Sequence, residues 1–396
     1  MNSNFNLDER IKTLLKIWRN GSSKDLTKQE IFSLAQALLK LQRGLTGKRN
    51  LAGDGYMEDR NLLGAYLLYY WPVSYAQVSY AFFPAIKKFA EEKKDDSPIR
   101  ILDLGSGPGP ASTALCAMLN QELQDKKTNL EITLADSSPR AMELAKKIFT
   151  ADFPKVKITS KKSNFEKEGL RDFKSSQKFD IIISSHALNE LWSREENFIQ
   201  KRQFFVKEAA NILEKKGLLL LQEPALLITS RALIQIRDFL IQEGLQLLSP
   251  CPNLKNNTKC PALQNPNQTC HAEQSWKAPQ NVAALAKAAG LDRISFKMTF
   301  FAFTNNSDLP QKEETLRVVS DAMLNKSGRI RFILCDGQNR FPLSAKSDNK
   351  HARDIGFFDM KRYDSIKISN PENRGDEHSL AWGIKEDTSI NITNYR

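Results

Sequence analysis

Residues 100–110 read Arg-Ile-Leu-Asp-Leu-Gly-Ser-Gly-Pro-Gly-Pro, an apolar run followed by a turn with three glycines. The apolar residues 101–104 predict a buried strand, and the small residues that follow the turn predict a helix. Gly105, Gly107 and Gly109 allow the backbone to turn tightly and to approach a ligand where a Cβ atom would clash. The first N–H groups of the helix are free to bind that ligand. Glycine turns after strands also occur as purely structural connections, so the neighbouring residues decide the interpretation.

Acidic residues and further apolar runs around this turn favour a nucleotide-binding α/β fold. Asp103 lies at the end of the first strand, and Asp136 follows the second apolar run, residues 130–135. An acidic residue in the position of Asp136 binds ribose hydroxyls in nucleotide-binding folds. Residues 178–185 form a third apolar run, which is expected of a buried strand later in a parallel sheet.

The order of these features resembles the class I S-adenosylmethionine-dependent methyltransferases, whose glycine loop has the form that appears here as Asp103-Leu-Gly-Ser-Gly-Pro-Gly109. A dinucleotide-binding fold would follow the pattern G-x-G-x-x-G, and this chain has Pro110 in place of the last glycine. The resemblance implies that S-adenosylmethionine binds at Asp103, Gly105, Gly107, Gly109 and Asp136.

Three regions are predicted along the chain. Residues 1–95 have helical periodicity, residues 96–305 resemble a methyltransferase core, and residues 306–396 predict a small basic β-rich extension. In the core we predict strands near 100–104, 130–135, 156–160, 179–184, 216–222 and 293–304. Core helices are predicted near 110–124, 138–150, 198–214, 229–243 and 280–289. Strands that alternate with helices imply a parallel α/β sheet with right-handed crossovers and with ligands at the carboxyl ends of the strands.

Composition indicates a protein with a polyanionic partner. The 396 residues carry a net charge of +12, and the pI is near 9.3, which favours RNA as the partner. No apolar run reaches the roughly 18 residues of a membrane span. The early acidic residues Asp8 and Glu9 argue against a transit peptide. We therefore expect a cytoplasmic protein with reduced thiols and no membrane association, monomeric when it is free.

His186 follows the fourth predicted core strand, at the edge of the sheet where a methyl donor would bind. A histidine there could act as a general base near neutral pH, contact the cofactor or cap the strand. Asn189 and Glu190 either shape the pocket or cap the next helix. The segment lacks the Asn-Pro-Pro-Tyr motif of amino-group methyltransferases, and it has no cysteine suited to attack a pyrimidine ring. The sequence therefore leaves the catalytic residues unassigned.

Three cysteines lie in an irregular segment, residues 249–279, which is rich in asparagine and proline. Long loops without secondary structure in compact domains usually have a function, and a metal site would supply one. Cys251 and Cys260 both precede proline, a context found around iron–sulfur clusters. Cys270 is the third thiol, and Cys335, at the end of a predicted strand, is the natural fourth ligand. The spacing does not match a zinc C-x-x-C pair, so the residues leave iron–sulfur and zinc both open.

Together these motifs resemble the Rsm-type methyltransferase-like family of the small ribosomal subunit. The resemblance rests on the methyltransferase core, the Pro72-x-Ser74-Tyr75 segment, the two Cys-Pro pairs, Cys270-His271 and the late lone cysteine. It implies a 4Fe–4S cluster on Cys251, Cys260, Cys270 and Cys335. It also implies association with the small ribosomal subunit and its rRNA, through either rRNA methylation or a part in subunit assembly. The gap between the first two cysteines is longer than the family usually has.

The C-terminal region supports an RNA partner without deciding the activity. Residues 326–367 contain ten Lys or Arg and five Asp or Glu, interleaved with aromatic side chains. Such a surface can follow RNA phosphates while aromatic rings stack on bases, or it can be an ordinary solvated β-extension. The predicted function is accordingly an S-adenosylmethionine-dependent methyltransferase for rRNA. The alternative is a non-catalytic RNA-binding assembly factor with a structural metal cluster.

Overall fold

A computed structural model describes residues 7–44, 57–93, 96–124, 128–173, 178–252, 259–291, 294–309, 313–377 and 379–395. The chain divides into two compact units. The first unit comprises Met1–Glu223 and Gln274–Lys297, and the second comprises Pro224–Glu273 and Met298–Arg396.

The first unit begins with the predicted helices. They are α1 (Leu7–Arg19), α2 (Lys28–Gln42), α3 (Arg60–Ala65) and α4 (Trp71–Glu92), and a π-helical turn (Tyr66–Tyr70) joins α3 to α4. Helix α2 starts with a capping box, in which the Thr27 hydroxyl accepts from the Glu30 amide and the Glu30 carboxylate accepts from the Thr27 amide. The apolar faces of these helices are buried, as the helical spacing of their leucines and alanines requires.

Five parallel strands form the sheet of the first unit, in the order β3-β2-β1-β4-β5. The strands are β1 (Ile99–Leu104), β2 (Leu130–Asp136), β3 (Lys157–Lys162), β4 (Phe179–Ser185) and β5 (Leu213–Pro224). The connecting helices are α5 (Pro110–Glu122), α6 (Pro139–Asp152), α7 (Phe165–Glu168) and α8 (Phe198–Asn211). The predicted core strands and helices of this unit are confirmed. Because the strand order reverses between β1 and β4, the carboxyl end of β1 lies at the switch point where such sheets bind ligands.

The chain continues through α9 (Leu227–Gln242), β6 (Gln246–Ser249), β7 (Ala272–Ser275), α10 (Gln280–Ala288) and β8 (Ser295–Thr304). In the second unit, β6 pairs antiparallel with β8, and Leu247 lies opposite Phe303. The α/β fold therefore contains antiparallel as well as parallel strand pairs. Residues 253–258 of the predicted cysteine-rich loop lie outside the described residues.

The second unit also contains an eight-stranded sheet. Its strands are β9 (Leu316–Val318), β10 (Met323–Leu324), β11 (Arg329–Cys335), β12 (Arg340–Lys346), β13 (Ser365–Ser369), β14 (Glu372–Asn373), β15 (Trp382–Gly383) and β16 (Ser389–Thr393), and a short helix, α11 (Lys350–Asp354), follows β12. Strands β11 and β12 form a hairpin in which Cys335 lies opposite Arg340. Phe332, Leu334 and Leu343 are buried in the core of this sheet. The hairpin therefore fixes the late cysteine beside a cationic side chain.

The helices were compared with the length and hydropathy of membrane-spanning segments. Among the described residues, none of the helices combines the length and the apolar character that crossing a bilayer requires.

Helix α3 crosses the other N-terminal helices so closely that Gly64 leaves no room for a side chain. A Cβ atom at Gly64 would lie 2.6 Å from Trp18 Nε1 and 2.8 Å from Leu34 Cδ2. We expect Gly64→Ala to destabilise the first unit by about 1–3 kcal/mol, because both neighbours would have to shift in a packed core. Urea unfolding followed by tryptophan fluorescence measures the change. Gln36→Ala, at an exposed position of α2, serves as the control and should leave the midpoint unchanged.

Candidate functional site

The glycine loop between β1 and α5 has the conformation that its sequence requires. Gly105, Gly107 and Gly109 have φ angles of 75°, 50° and 75°, in the left-handed region that other residues seldom occupy. Close packing adds a second constraint at Gly105, where a Cβ atom would lie 2.3 Å from the Cβ of Ala187. The loop therefore passes directly against the chain that follows β4.

Asp136 holds this loop from the neighbouring strand. Its Oδ2 accepts a hydrogen bond of 2.8 Å from the Gly107 amide, and its Oδ1 accepts one of 2.8 Å from the Ser138 amide. The Gly105 amide donates to the Ala135 carbonyl at 2.8 Å. These bonds hold the Asp136 carboxylate beside the glycine loop at the end of β2.

Asp103 lies beneath the loop, where it is buried. Its Oδ2 accepts from the hydroxyl of Ser112 at 2.6 Å and from the amide of Ser112 at 3.2 Å, which fixes the first turn of α5. The pKa of Asp103 is raised to about 7, because burial and, to a smaller extent, the Asp136 carboxylate raise it more than the Ser112 hydrogen bonds lower it. Asp103 thus fixes the start of α5, where the glycine loop ends.

Tyr66 lies over the same loop, which the sequence did not indicate. Its hydroxyl oxygen would be 3.6 Å from a Cβ atom placed on Gly107. Burial raises the pKa of Tyr66, and the carboxylates of Glu190 and Asp136 raise it further. Tyr66 begins the π-helical turn, a feature that is frequent at functional sites. Trp71 fixes the end of this turn, since its Nε1 donates to the Pro108 carbonyl at 3.1 Å.

His186 follows β4 with a φ angle of 61°, and its Nε2 lies 2.9 Å from Gln77 Oε1. The Gln77 amide is oriented by its own bond from Nε2 to the Lys297 carbonyl at 2.9 Å, so His186 carries its proton on Nε2. Gln222 Nε2 lies 3.1 Å from the same imidazole nitrogen, while Gln222 Oε1 is buried without a partner. The Gln222 Nε2 also donates to the Ser185 hydroxyl oxygen at 3.1 Å, which fixes this amide beside the imidazole.

The remaining nitrogen of His186, Nδ1, is buried and has no hydrogen-bond partner among the described residues. Burial lowers the pKa of His186 to about 4, so the imidazole is neutral at physiological pH. A neutral imidazole with this tautomer can accept a hydrogen bond at Nδ1. It is a weak base at the pKa that the structure gives it.

Other polar side chains after β4 bond to one another. The Asn189 amide nitrogen donates to Glu223 Oε1 at 3.2 Å, and its side-chain Nδ2 donates to Glu223 Oε2 at 2.6 Å. Arg202 donates to the carbonyls of Leu191 and Asn189 at 2.9 and 2.8 Å. Burial raises the pKa of Glu223 to about 8, against the lowering effect of the bonds from Asn189 and the charge of Arg202. These contacts fix the segment that carries His186.

The second unit contains all four cysteines proposed as metal ligands. Cys260 and Cys335 are buried, and Cys251 and Cys270 are half-buried. Burial raises the pKa of the Cys260 and Cys335 thiols, and the thiols of Cys270 and Cys251 raise both further. The Cys270 sulfur lies 3.4 Å from the Tyr363 hydroxyl oxygen.

Two arginines, Arg237 and Arg340, lie close enough to these thiols for the thiols to affect their pKa. Arg237 is buried and paired with Asp238, and Asp238 Oδ2 accepts a bond of 3.0 Å from the Cys260 amide. The Cys260, Cys270 and Cys335 thiols help to raise the pKa of Arg340. In the described part of the chain, however, no group of three or more His, Cys, Asp or Glu side chains is arranged to hold a metal ion.

Comparison with known proteins gives the family. A family model described as mitochondrial small ribosomal subunit Rsm22 matches residues 60–353. The chain belongs to this family. The Rsm22 match covers the glycine loop, the segment after β4 and all four cysteines of the second unit. The predicted family resemblance is thereby confirmed.

Solved methyltransferase structures resemble the Rsm22-family chain weakly. An S-adenosylmethionine-dependent methyltransferase from Agrobacterium tumefaciens is 15% identical, with 59% of this chain and 63% of that chain covered and a TM-score of 0.37. Precorrin-6y C5,15-methyltransferase from Geobacter metallireducens is 12% identical, with 57% and 87% covered and a TM-score of 0.34. A methyltransferase from Pyrococcus furiosus is 12% identical, with 57% and 83% covered and a TM-score of 0.31. No curated protein matches the sequence.

The buried imidazole predicts a specific acid sensitivity. An unfolded histidine binds a proton near pH 6.5, whereas the pKa of folded His186 is about 4, so acidification between these values favours unfolding. We expect His186→Gln to reduce the loss of unfolding free energy between pH 7 and pH 5 by about 2 kcal/mol. Urea titrations at the two pH values measure it. His351→Gln, which changes a histidine of α11, is the control; an equal reduction in both variants would contradict the assignment.

Proposed function

We propose that this chain binds S-adenosylmethionine at the glycine loop and acts on the small ribosomal subunit. The proposed binding of S-adenosylmethionine rests on one observation. The Gly107 amide donates a hydrogen bond to the Asp136 carboxylate at the switch point of a parallel sheet. The loop offers backbone to a ligand at Gly107, and Asp136 offers carboxylate oxygens to ribose hydroxyls. Tyr66 places its hydroxyl group next to Gly107 on this loop.

The residues fit the cofactor chemically. S-adenosylmethionine supplies an electrophilic methyl group on a sulfonium centre, and a site for it needs acceptors for hydroxyls and negative charge near a cation. Asp136 supplies a carboxylate at the loop, and Glu190 and Asp136 both lie close enough to affect the pKa of Tyr66. His186, held neutral by burial, adds no positive charge near the sulfonium. In an active enzyme these side chains would orient the donor, and proximity would supply much of the rate.

The small ribosomal subunit is proposed as the partner because of the family to which the chain belongs. The Rsm22 model is described by that subunit, and the chain's net charge of +12 suits a partner made largely of RNA. The lysines and arginines of residues 326–367 provide cations for phosphate groups in the second unit. We propose rRNA as the methyl acceptor.

A non-catalytic assembly factor is the second candidate, and one observation favours it. Asn189, Glu223 and Arg202 are bonded to one another or to nearby carbonyls, so the segment after β4 is braced by its own polar groups. The one unpartnered ring nitrogen there, His186 Nδ1, is buried. A protein of this kind would bind the cofactor and RNA without transferring a methyl group.

We also propose a 4Fe–4S cluster on Cys251, Cys260, Cys270 and Cys335. All four thiols lie in one unit, and they affect one another's protonation. A single zinc ion at about 2.3 Å from each sulfur would need thiolates within about 4 Å of one another. A cluster instead binds each thiolate on a separate iron, so it spans a wider group. Arg237 and Arg340 would offset the negative charge of the bound thiolates.

Cofactor binding is tested at Gly107. We expect Gly107→Arg to reduce S-adenosylmethionine affinity by at least about a hundredfold in isothermal titration, because the side chain would enter the space between the loop and Tyr66. Gly290→Arg makes the same change at a glycine with a φ angle of 65° and no atom within 4 Å of its Cβ position, and it should bind as wild type does. Equal affinities in all three proteins would place the cofactor elsewhere.

The same two variants separate the enzyme from the assembly factor. Small-subunit rRNA from cells that depend on each variant would be mapped by mass spectrometry for methyl groups. One methyl group lost with Gly107→Arg and kept with Gly290→Arg would establish methyl transfer and identify the target. An unchanged map with immature subunits accumulating would favour the assembly factor.

Metal binding is tested at Cys260. We expect Cys260→Ser to lose iron and the visible absorption of the cluster, and to lose solubility as well, because the loop would have little to fold around. Protein purified without oxygen would be assayed for iron, sulfide and zinc. Cys116→Ala is the control, since Cys116 is buried in α5 of the first unit and should leave the metal content unchanged. Full iron content in Cys260→Ser would remove this residue from the ligands.

A further inference from the structure

A pocket of about 450 Å³ opens in the second unit, and Arg340 lies in its lining. One wall is the turn that begins with the 3₁₀-helix Pro261–Gln264, and the other wall comes from the sheet. The pocket is lined by Pro261, Gln264, Asn265, Gln268, Thr269, Val319, Ile333 and Arg340. This volume lies within the range of small-ligand sites.

Both walls are fixed by hydrogen bonds. Arg231 of α9 donates through Nη1 to the carbonyls of Ala262, Asn265 and Gln268, at 3.2, 2.8 and 2.8 Å. On the sheet side, the Val319 amide donates to the Ile333 carbonyl at 2.8 Å. A guanidinium bonded to three carbonyls of one turn restricts the conformation of that wall of the pocket.

Arg340 places a positive charge in this pocket. Its Nη1 donates to the Thr269 carbonyl at 3.0 Å. Its Nε is buried with no hydrogen-bond partner, and in the described part of the chain no carboxylate pairs with the guanidinium. Buried arginine donors without an acceptor are costly, and they are usually satisfied by an ion, water or ligand.

Thr269 adds a second donor in the same wall. Its hydroxyl oxygen is buried and lacks a partner in the part of the chain that the structure describes. Two neighbouring residues with unmatched donors therefore border one pocket. A phosphate group presents several acceptor oxygens and pairs with a guanidinium through two parallel hydrogen bonds, so it can satisfy both.

The rest of the lining suits a flat polar ring. Val319, Ile333 and Pro261 supply apolar surface, and the exposed amide side chains of Gln264 and Gln268 stand at the rim. Apolar side chains can contact the face of a base, and amide groups can form hydrogen bonds with its edge.

We propose that this pocket binds a nucleoside monophosphate unit, with its phosphate on Arg340 and Thr269 and its base against Val319 and Ile333. The unit is either a free nucleotide or one nucleotide of a single-stranded RNA, and only the RNA source rests on the proposed function. Binding of a free nucleotide requires neither S-adenosylmethionine nor methyl transfer.

The full-length protein, purified without oxygen, would be titrated with UMP, AMP, inorganic phosphate and a five-nucleotide RNA in a calorimeter. We expect saturable binding of a nucleotide, weakened at least about tenfold, or about 1.4 kcal/mol, by Arg340→Gln in protein whose iron content equals that of wild type. Thr269→Val keeps the shape of the side chain and removes the hydroxyl, so it should weaken binding without lowering the melting temperature. Arg353→Gln removes a positive charge from exposed α11 and should change the affinity less than twofold.

Each result decides the proposal. Nucleotide binding with competition from the RNA supports an RNA source, and nucleotide binding without competition supports a free nucleotide. Three results would overturn the proposal: no saturable binding of UMP, AMP or the RNA at millimolar concentration, equal affinity for phosphate alone, or unchanged affinity in Thr269→Val. The Thr269→Val measurement keeps the test valid if Arg340→Gln fails to fold.

Discussion

The hydrogen bond from the Gly107 amide to the Asp136 carboxylate is the interaction on which the first unit's site depends. It joins the loop after β1 to the end of β2, and it forms only because Gly107 adopts a left-handed conformation. The parallel register, which sets Leu104 beside Ala135, brings the two strand ends together. The loop therefore presents its backbone at the edge of the sheet where ligands bind.

Buried polar groups with hydrogen-bond partners organise the other parts of the molecule in a similar way. Asp103 under the loop and Glu223 under the following segment are both buried, and each accepts two hydrogen bonds that fix its neighbours. In the second unit, Arg237 and Asp238 are buried together next to Cys260. Buried groups of this kind are expensive unless they are paired, so their partners are held in well-defined positions. The same rule makes the unpaired guanidinium of Arg340 informative.

Cofactor binding and catalysis have different structural support. The glycine loop and Asp136 are joined by a hydrogen bond, and they are the residues to which we assign the proposed binding of S-adenosylmethionine. The segment after β4 provides bracing contacts and a neutral imidazole, which do not by themselves activate a nucleophile. Membership of the Rsm22 family is compatible with both the enzyme and the assembly factor. The proposed enzyme and the proposed assembly factor therefore differ in one respect. In the enzyme, a bound RNA would supply the nucleophile that attacks the methyl group of the cofactor.

The sequence by itself determined the local features: the core strands and helices, the glycine loop with Asp136, and the family. These depend on apolar periodicity and on glycine spacing, which act between residues close in the chain or in adjacent strands. Only the tertiary structure decided that Tyr66 covers Gly107, that Gln77 fixes the His186 tautomer across 109 residues, and that Thr269 meets Arg340 across 71. Such contacts join residues far apart in the chain, and a side-chain hydrogen bond between them leaves no periodic pattern in the sequence. The packing of whole helices and strands determines which of these side chains meet.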